Sequence, residues 1–303
     1  MALALLFPGQ GAQHAGMLPW LEAQPEAAPV LQALTRQLGR DWRDGLGDAG
    51  WLHANAVAQP LLAGLCLAAW QVLAARLPSP TVVAGYSVGE LAAFSAAGVF
   101  DARTAITLAA VRAQAMDESV AGLHTGLLAL QGPDALRRAE ADGVAIAIRI
   151  SRERVIVGGT SAALESHAAR WAAAGLRCTR LPIAIASHTP AMAPAAAAFA
   201  QGLAALSLHT ARLPIVCNFN AAALRQSAAL AEALAGQIAS TVRWDECMDA
   251  IAERGVRGVL EVGPGNTLAA MWRERHPDIP VRSVDEFGSA DGVAAWVHAQ
   301  LAA

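Results

Sequence analysis

The strongest chemical signal in the sequence is a serine flanked by glycines, Gly85-Tyr86-Ser87-Val88-Gly89. It follows the β-branched run Thr81-Val82-Val83 and precedes an apolar helical segment that begins at Glu90. A strand, a sharp glycine turn and a helix are typical of a GxSxG nucleophile elbow, which projects the serine hydroxyl from the end of a sheet. The same residues also fit a tight turn with a solvent-facing serine.

One histidine stands where it could activate this serine. His188 lies in Ile185-Ala186-Ser187-His188-Thr189-Pro190, between a predicted strand and a helix whose first turn can hold Pro190. A serine nucleophile needs a neighbouring base, and histidine is the commonest general base. The remaining histidines of the eight lie in contexts that indicate no role. Taken alone, His188 also fits an ordinary loop or core residue.

Two further glycine loops follow predicted strands. Phe7-Pro8-Gly9-Gln10-Gly11-Ala12-Gln13 lacks the spacing of a phosphate-binding loop or a dinucleotide fingerprint. Its backbone N–H groups could instead face an oxyanion. Glu261-Val262-Gly263-Pro264-Gly265 closes a late strand and by itself indicates only a turn.

Short β-rich runs alternate with longer alanine-rich helical segments along the chain. The alternation is typical of a mostly parallel sheet covered by helices on both faces, so an α/β fold is predicted. The predicted strands cover residues 3–7, 81–86, 127–130, 144–150, 155–157, 178–183, 213–218 and 256–262. The predicted helices cover residues 61–76, 90–97, 102–116, 134–141, 162–174, 191–206, 228–239, 244–254 and 267–275.

Residues 122–183 show a different order of elements. The patterns predict strand, helix, strand, strand, helix and strand, which is the order of a split βαβ or ferredoxin-like unit. We interpret this region as a small inserted subdomain. Residues 1–121 and 184–303 then form the larger subdomain.

Composition excludes several classes of protein. The 303 residues are 55% hydrophobic and 16% charged with a net charge of −3, and all 22 basic residues are arginine. A nucleic-acid binder would carry a positive excess, and a disordered chain would be less hydrophobic. The four cysteines form no CxxC pair, which argues against a zinc ribbon, a disulfide framework or a redox motif.

No targeting or membrane segment is predicted. The first residues run into Pro8 and Gly9 without a basic region or a long apolar stretch. The longest uncharged stretch, residues 181–211, is interrupted by prolines, a histidine and a glutamine, whereas a membrane span needs about 20 continuous apolar residues. We expect a cytoplasmic protein without a membrane partner.

Seven motifs stand in a fixed order along the chain. They are Phe7-Pro8-Gly9-Gln10-Gly11-Ala12-Gln13, Gln59-Pro60, Gly85-Tyr86-Ser87-Val88-Gly89-Glu90, Arg112, Ser187-His188, Val242-Arg243-Trp244 and Glu261-Val262-Gly263-Pro264-Gly265. In this order and over nearly the whole chain, the sequence resembles the malonyl-CoA:acyl carrier protein transacylases. The resemblance implies an α/β-hydrolase-like large subdomain, residues 1–121 and 184–303, and an inserted ferredoxin-like small subdomain, residues 122–183.

The resemblance also implies catalytic roles. Ser87 would become malonylated, and His188 would take its proton and later return one to the departing thiol. Backbone N–H groups of Gln10 and Val88 would form the oxyanion hole. Neither a metal nor a permanently bound cofactor is implied, because the substrates are malonyl-CoA and the phosphopantetheine-type thiol of a carrier protein.

Three further residues would bind or orient. Arg112 would hold the free carboxylate of the malonyl group, since a guanidinium pairs with a carboxylate through two parallel hydrogen bonds. Without the resemblance, an arginine at this helical position would be interpreted as a solvated side chain. Gln59 resembles a pocket-lining residue of the family. The main-chain carbonyl at Arg243 would orient His188.

Some positions depart from the fatty-acid-synthesis pattern of the family. Tyr86 and Val88 stand where that pattern usually has histidine and leucine, and residues 148–159 lack its asparagines. The Gly-Tyr-Ser-Val-Gly-Glu and Ala-Ser-His-Thr-Pro combinations resemble the epsilon subunit of malonate decarboxylase. On this resemblance the acceptor is the carrier subunit of that complex, and the alternative is a fatty-acid acyl carrier protein.

Three arginines of the small subdomain are candidates for binding the acceptor. Arg149, Arg152 and Arg154 could meet an acidic carrier protein or the phosphates of CoA, because complementary charge steers transient encounters. A solvated strand face explains the same pattern.

Two functions from other classes stay open. A serine hydrolase would usually have an acidic residue after the nucleophile and a histidine near the C-terminus, for which His276 and His298 are available. A non-catalytic docking module would need an unreactive Ser87.

Overall fold

A computed structural model describes residues 2–302 of the chain. The strands are β1 (Leu3–Phe7), β2 (Val82–Gly85), β3 (Thr125–Gln131), β4 (Ala145–Ser151), β5 (Arg154–Thr160), β6 (Arg177–Arg180), β7 (Ile215–Val216), β8 (Ala223–Leu224), β9 (Val242–Arg243), β10 (Gly258–Glu261) and β11 (Val281–Ser283). The helices are α1 (Ala28–Leu38), α2 (Ala49–His53), α3 (Asn55–Leu73), α4 (Gly89–Ala96), α5 (Ala102–Ser119), α6 (Ala135–Ala141), α7 (Ser161–Ala173), α8 (Ala193–Ala204), α9 (Ser227–Gly236), α10 (Trp244–Ala252), α11 (Thr267–Arg275) and α12 (Ala290–Ala302).

The larger sheet has six strands in the order β11-β10-β1-β2-β7-β8, all paired in parallel except β7 with β8. Every residue of the central strand β1 is buried, as expected of a parallel strand covered on both faces. Alternate β1 residues pack into two different apolar clusters: Leu3 and Leu5 into one, Ala4 and Leu6 into the other. Side chains of successive strand residues point to opposite faces, so both faces of this sheet are covered.

The smaller sheet has five strands in the order β6-β3-β5-β4-β9. The first four are antiparallel and come from one continuous stretch, β3-α6-β4-β5-α7-β6. The fifth, β9, arrives from later in the chain and pairs in parallel with β4. Its pairing joins the stretch from β3 to β6 to the segment that follows α9.

The long helix α3 lies inside the protein. Its length and mean hydropathy would suffice for a membrane span, but 83% of its most apolar window is buried in the fold. It packs against α1 and α5, where the side chains of Leu34, Leu65 and Ile106 belong to one apolar cluster. It is therefore a core helix of this fold.

The predicted α/β class is confirmed, as are all eight predicted strands and nine predicted helices. The bounds of β1 and α11 are as predicted, and the ends of the other elements differ by at most six residues. Prediction missed the helices α1, α2 and α12 and the strands β8, β9 and β11. The missed strands have two or three residues each, which is too short for an alternating pattern to register.

Candidate active site

Ser87 lies in the turn between β2 and α4, at the carboxyl end of a central strand. Its φ is +55°, in the left-handed region, where a residue with a side chain costs about 1 kcal/mol or more. The flanking glycines make the turn possible: a Cβ on Gly85 would lie 2.1 Å from the backbone of Gly89, and one on Gly89 would lie 2.2 Å from the oxygen of Phe7. The predicted strand, turn and helix are all present.

His188 meets this serine from the loop between β6 and α8. Its Nε2 lies 2.7 Å from the Oγ of Ser87. Its Nδ1 lies 2.6 Å from the carbonyl oxygen of Gln237, and a carbonyl accepts only, so Nδ1 carries the proton and Nε2 accepts one from the serine. Burial, reinforced by the nearby positive charge of Arg112, lowers the pKa of His188 to about 3. The imidazole is therefore neutral near pH 7, as a general base must be.

The carbonyl that orients His188 is a correction to the sequence prediction. Arg243 was expected to supply it, but Gln237 does. Arg243 lies in β9, where its N–H donates to the oxygen of Asn218 at 3.1 Å and its backbone pairs with Arg149 of β4. Because β9 is committed to the smaller sheet, the segment just after α9 reaches the histidine instead.

Arg112, from α5, lies beside the same serine and is 1% exposed. Its Nη1 donates to the Oε1 of Gln59 at 2.7 Å, and its Nη2 lies 3.4 Å from both the Oγ of Ser87 and the Oε1 of Gln237. All three partners are uncharged, and the Nε has no partner. Burial lowers the pKa of Arg112 to about 10, which leaves the guanidinium charged at neutral pH.

Gln59, from α3, is fully buried beside this arginine. Its Nε2 donates to the Oδ1 of Asn55 at 2.5 Å and faces the sulfur of Met116. These contacts leave its Oε1 to accept from Arg112. Gln59 thus fixes the direction of the guanidinium as well as lining the site.

A second buried ionisable group, Glu90, lies in the first turn of α4. Its Oε1 accepts the N–H of Asn218 at 2.7 Å, and its Oε2 has no partner. Burial raises its pKa to about 8, against the opposing effects of that hydrogen bond and of Arg112. At pH 7 Glu90 is therefore mostly neutral and does not supply a full counter-charge for Arg112.

Gln10 and Val88 occupy adjacent loops. The loop after β1 is held against the serine turn by a hydrogen bond from the N–H of Tyr86 to the oxygen of Phe7 at 2.9 Å. Val88 lies at the N-terminus of α4, where the helix dipole favours negative charge. Among residues 2–302, neither the Gln10 nor the Val88 N–H donates to a protein acceptor.

Two cavities meet at Gln10. The larger, about 610 Å³, is lined by polar and apolar residues in equal number, and its polar residues include His53, Asn55 and Arg180. The smaller, about 220 Å³, lies between the smaller sheet and the loop after β1 and is mainly apolar. Tyr86, the neighbour of Ser87, forms part of its wall.

The smaller cavity is lined in part by residues 148–159, the segment that lacks the asparagines of the fatty-acid-synthesis pattern. Ile148 and Ile150 line it, and Arg154 lies at the same cavity. Arg154 is 3.8 Å from Glu274, and Arg152 is exposed. Arg149, in contrast, is partly buried and paired with two carboxylates, with its Nη2 2.9 Å from Asp245 and 2.6 Å from Glu246.

The histidines considered for a hydrolase lie elsewhere. The Nε2 of His276 is 3.2 Å from Asp249, and the Nε2 of His298 is 3.0 Å from the carbonyl oxygen of Arg76. Neither has a hydrogen bond to Ser87 among the described residues. No group of three or more His, Cys, Asp or Glu residues within 2–302 is arranged to hold a metal ion.

Three buried residues of the site were missed by sequence reasoning. Asn218 and Gln237 lie in segments without a recognisable motif, and both contact the backbone of Ser87. Glu90 was noticed only as the last letter of the elbow motif. A signal did exist for Asn218, because it is the last residue of the predicted strand 213–218. That strand contains β7, which pairs in parallel with the serine strand β2, and carboxyl ends of parallel strands meet at one edge.

Comparison with known proteins gives concordant results. Residues 4–293 match the family model described as the acyl transferase domain. The chain is 34% identical over 302 residues to the malonyl CoA-acyl carrier protein transacylase of Mycobacterium tuberculosis strain H37Rv, covering 96% of this chain and 99% of that protein.

Solved structures are also similar. A crystal structure of MCAT from Mycobacterium tuberculosis has a TM-score of 0.90 at 33% identity, covering 97% of this chain and 100% of the other. A malonyl-transacylase solved in complex with a type II PKS acyl-carrier protein has a TM-score of 0.89 at 28% identity, covering 98% and 99%.

Proposed function

The chain belongs to the acyl transferase domain family, and from that membership and the site geometry we propose that it transfers a malonyl group from malonyl-CoA to the thiol of an acyl carrier protein. The acyl group passes through a malonyl ester on Ser87. The substrates are a thioester and a thiol, and the acyl group moves from one sulfur to the other through Ser87, so no permanently bound cofactor is required.

The observation that carries the proposal is the buried guanidinium of Arg112 beside the serine hydroxyl. A buried charge whose partners are all neutral is costly, and a carboxylate paired with it offsets much of that cost. Malonyl differs from acetyl by one carboxylate. A malonyl group esterified to Ser87 has this carboxylate three bonds from the ester carbonyl oxygen, within reach of Nη2. The arrangement favours malonyl over uncharged acyl groups.

Acylation follows from the hydrogen bonds at Ser87. His188 Nε2 takes the proton of the hydroxyl as Oγ attacks the thioester carbonyl of malonyl-CoA. The negative charge that develops on the carbonyl oxygen is stabilised by the N–H groups of Gln10 and Val88. The intermediate then collapses, the carbon–sulfur bond breaks, and the CoA sulfur leaves with the proton from His188.

Deacylation repeats these steps in reverse with a different thiol. His188 takes the proton of the carrier's thiol, the sulfur attacks the malonyl ester, and the proton passes to the Oγ of Ser87 as the carbon–oxygen bond breaks. The carbonyl of Gln237 stabilises the transient imidazolium through Nδ1–H. This sequence gives ping-pong kinetics, because CoA leaves before the carrier binds.

The physiological acceptor is proposed to be an acyl carrier protein with a phosphopantetheine thiol. The comparisons favour this alternative over the carrier subunit of malonate decarboxylase, because the relatives reported above are malonyl transacylases of acyl carrier proteins. Incubating the malonyl-enzyme with each purified holo-carrier separates the two. Faster transfer to the carrier subunit of malonate decarboxylase would favour the decarboxylase subunit as the identity of this chain.

The division into subdomains is also part of the proposal. The order β6-β3-β5-β4 corresponds to the fourth, first, third and second strands of the inserted stretch, which supports a ferredoxin-like unit at residues 122–183. Ser87 at the end of β2 supports a hydrolase-like unit formed by residues 1–121 and 184–303. Both cavities involve residues of the two units.

Intact-protein mass spectrometry tests the function and separates it from the alternatives. Mixing the protein with malonyl-CoA should add one malonyl group to Ser87, and a pantetheine thiol should remove it. Rapid loss of the adduct to water, with no faster loss on adding thiol, would indicate a hydrolase. No adduct would indicate a docking module.

A further inference from the structure

Asn218 contacts the nucleophile's backbone at two points. Its Oδ1 accepts the N–H of Ser87 at 2.7 Å, and its Nδ2 donates to the carbonyl oxygen of Gly85 at 2.6 Å. Asn218 is fully buried. A single side-chain amide therefore bridges the end of β2 and the serine two residues later.

This bridge satisfies polar groups that the turn would otherwise leave unpaired. Ser87 adopts the left-handed conformation, and its N–H donates to no backbone oxygen among the described residues. A buried N–H without an acceptor is unfavourable. The amide of Asn218 carries its acceptor oxygen and its donor nitrogen on the same carbon, which suits the N–H of Ser87 and the oxygen of Gly85 together. The Ser87 N–H is thereby occupied, and the Val88 N–H is left for the oxyanion.

Asn218 is itself held in place by a hydrogen bond to Glu90. The Oε1 of Glu90 accepts the backbone N–H of Asn218, and both residues are fully buried. The carboxyl has no cationic hydrogen-bond partner, and its second oxygen is unpaired. Glu90 thus serves Asn218 as a hydrogen-bond acceptor from the first turn of α4, the helix that begins two residues after Ser87.

We infer that Asn218 is a positioning residue for acyl transfer, which holds Ser87 in the left-handed conformation that aims Oγ at His188, and that Glu90 acts through Asn218. The inference rests on the proposed function. It assigns a task to two buried residues that touch neither the acyl group nor the base.

Without the two hydrogen bonds of the Asn218 side chain, the Oγ of Ser87 would be misplaced relative to His188. The distance of 2.7 Å between Oγ and Nε2 depends on the turn geometry. A displacement of about 1 Å at a reacting atom can lower a rate by about 100-fold. Binding of malonyl-CoA should change little, because neither Asn218 nor Glu90 hydrogen-bonds Arg112 or Gln59.

The first experiment compares Asn218→Ala with the matched variant Asn220→Ala, an exposed asparagine of the same loop that contacts Ala222. Rapid-quench mass spectrometry with malonyl-CoA measures the rate constant and the amplitude of Ser87 malonylation. We expect Asn218→Ala to lower the rate constant by about 100-fold, with full final amplitude and a half-saturating malonyl-CoA concentration within about threefold of wild type. Asn220→Ala should match the wild type.

A merely structural role gives a different result. If Asn218→Ala lowers only the amplitude, because fewer molecules fold, and leaves the rate constant of the folded fraction unchanged, the inference is overturned. An effect equal to that of Asn220→Ala overturns it too.

The second experiment tests whether Glu90 works as a neutral acceptor. Glu90→Gln keeps an oxygen for the N–H of Asn218, whereas Glu90→Ala removes it. We expect the malonylation rate constant of Glu90→Gln to exceed that of Glu90→Ala by about tenfold. Equal losses in both variants would overturn the assigned role of Glu90.

The wild-type protein separates this inference from the proposed function. If the wild type forms no malonyl adduct, the proposed function fails. If the wild type forms the adduct and Asn218→Ala forms it equally fast, only the positioning inference fails.

Discussion

The Nη2 of Arg112 lies 3.4 Å from the Oγ of Ser87, so a permanent positive charge is buried beside the candidate nucleophile. Gln59 fixes the opposite side of the same guanidinium through Nη1. This relationship makes acyl-group selectivity, and not only rate, the most informative property to measure.

Removing the guanidinium should change which acyl group is accepted. Arg112→Ala is expected to lower kcat/KM for malonyl-CoA by about 100-fold or more, because a buried charge-assisted pair with the substrate carboxylate is lost. Acetyl transfer has no such pair and should be unchanged or faster. Steady-state transfer to a pantetheine thiol with both substrates measures the ratio.

The matched control is Arg103→Ala, an exposed arginine at the start of the same helix, which should leave both rates unchanged. Arg112→Lys should retain part of the selectivity, because an ammonium keeps the charge but not the planar pair of donors. Equal losses for malonyl and acetyl transfer in Arg112→Ala would contradict the carboxylate role.

A carboxylate introduced at Gln59 should compete with the substrate. Gln59→Glu places an anion at the atom that now accepts from Arg112 at 2.7 Å, and the resulting ion pair would occupy the guanidinium. We expect kcat/KM for malonyl-CoA to fall by about 100-fold, with a smaller effect on acetyl-CoA. Gln71→Glu, at an exposed position of the same helix, is the control. A variant with normal malonyl selectivity would show that Arg112 does not bind the carboxylate.

Sequence reasoning identified the residues that lie in motifs and missed those that lie outside them. Ser87 and His188 were placed together correctly in space because each stands at a strand or loop end with a distinctive neighbourhood. Gln237 was missed, and Arg243 was chosen in its place. The choice between two carbonyls six residues apart depends on how β9 pairs with β4, which is a long-range contact that no local pattern contains.

Long-range contacts also explain why the sequence did not distinguish the roles of three arginines. The sequence presents Arg149, Arg152 and Arg154 as equivalent members of one basic stretch. The fold separates them, because Arg149 lies over the first turn of α10 and pairs with two carboxylates there, whereas Arg152 is exposed. The role of a surface charge depends on tertiary neighbours that come from distant parts of the chain.

The buried neutral His188 should make stability fall in acid. Its pKa is about 3 in the folded protein and about 6.5 in the unfolded chain. Between these values only the unfolded chain binds the extra proton, so falling pH favours unfolding by about 1.4 kcal/mol per pH unit from this group. Urea titrations from pH 7 to pH 4 should show this slope in the wild type relative to His188→Gln.

Glu90 and Glu261 change the pH dependence of stability in the direction opposite to His188. Burial raises both pKa values to about 8, so their stabilising effect is lost as pH rises from about 4.5 towards 8. Both carboxyls are present in the wild type and in His188→Gln, and their effects cancel in the difference. His124→Gln, at an exposed position, should keep the wild-type slope. A His188→Gln variant with that slope as well would mean that the histidine is not held neutral.

Charge reversal should distinguish the roles of Arg149, Arg152 and Arg154. Arg152→Glu and Arg154→Glu are expected to raise KM for the carrier protein about tenfold in low salt, because positive charge beside the smaller cavity would attract an acidic carrier or the phosphates of CoA. Arg154 lines that cavity, and Arg152 lines an adjoining one that shares Ile150 and Met271 with it. Hydrolysis of the malonyl-enzyme should be unchanged, because no contact with Ser87 is altered.

Arg149→Glu should instead lower the unfolding free energy by about 3 kcal/mol, because a new carboxylate would face Asp245 and Glu246. Carrier titrations and urea unfolding on all three variants test this division. An unchanged KM in Arg152→Glu and Arg154→Glu would place the carrier on another surface, and a stable Arg149→Glu would show that its two ion pairs contribute little to the fold.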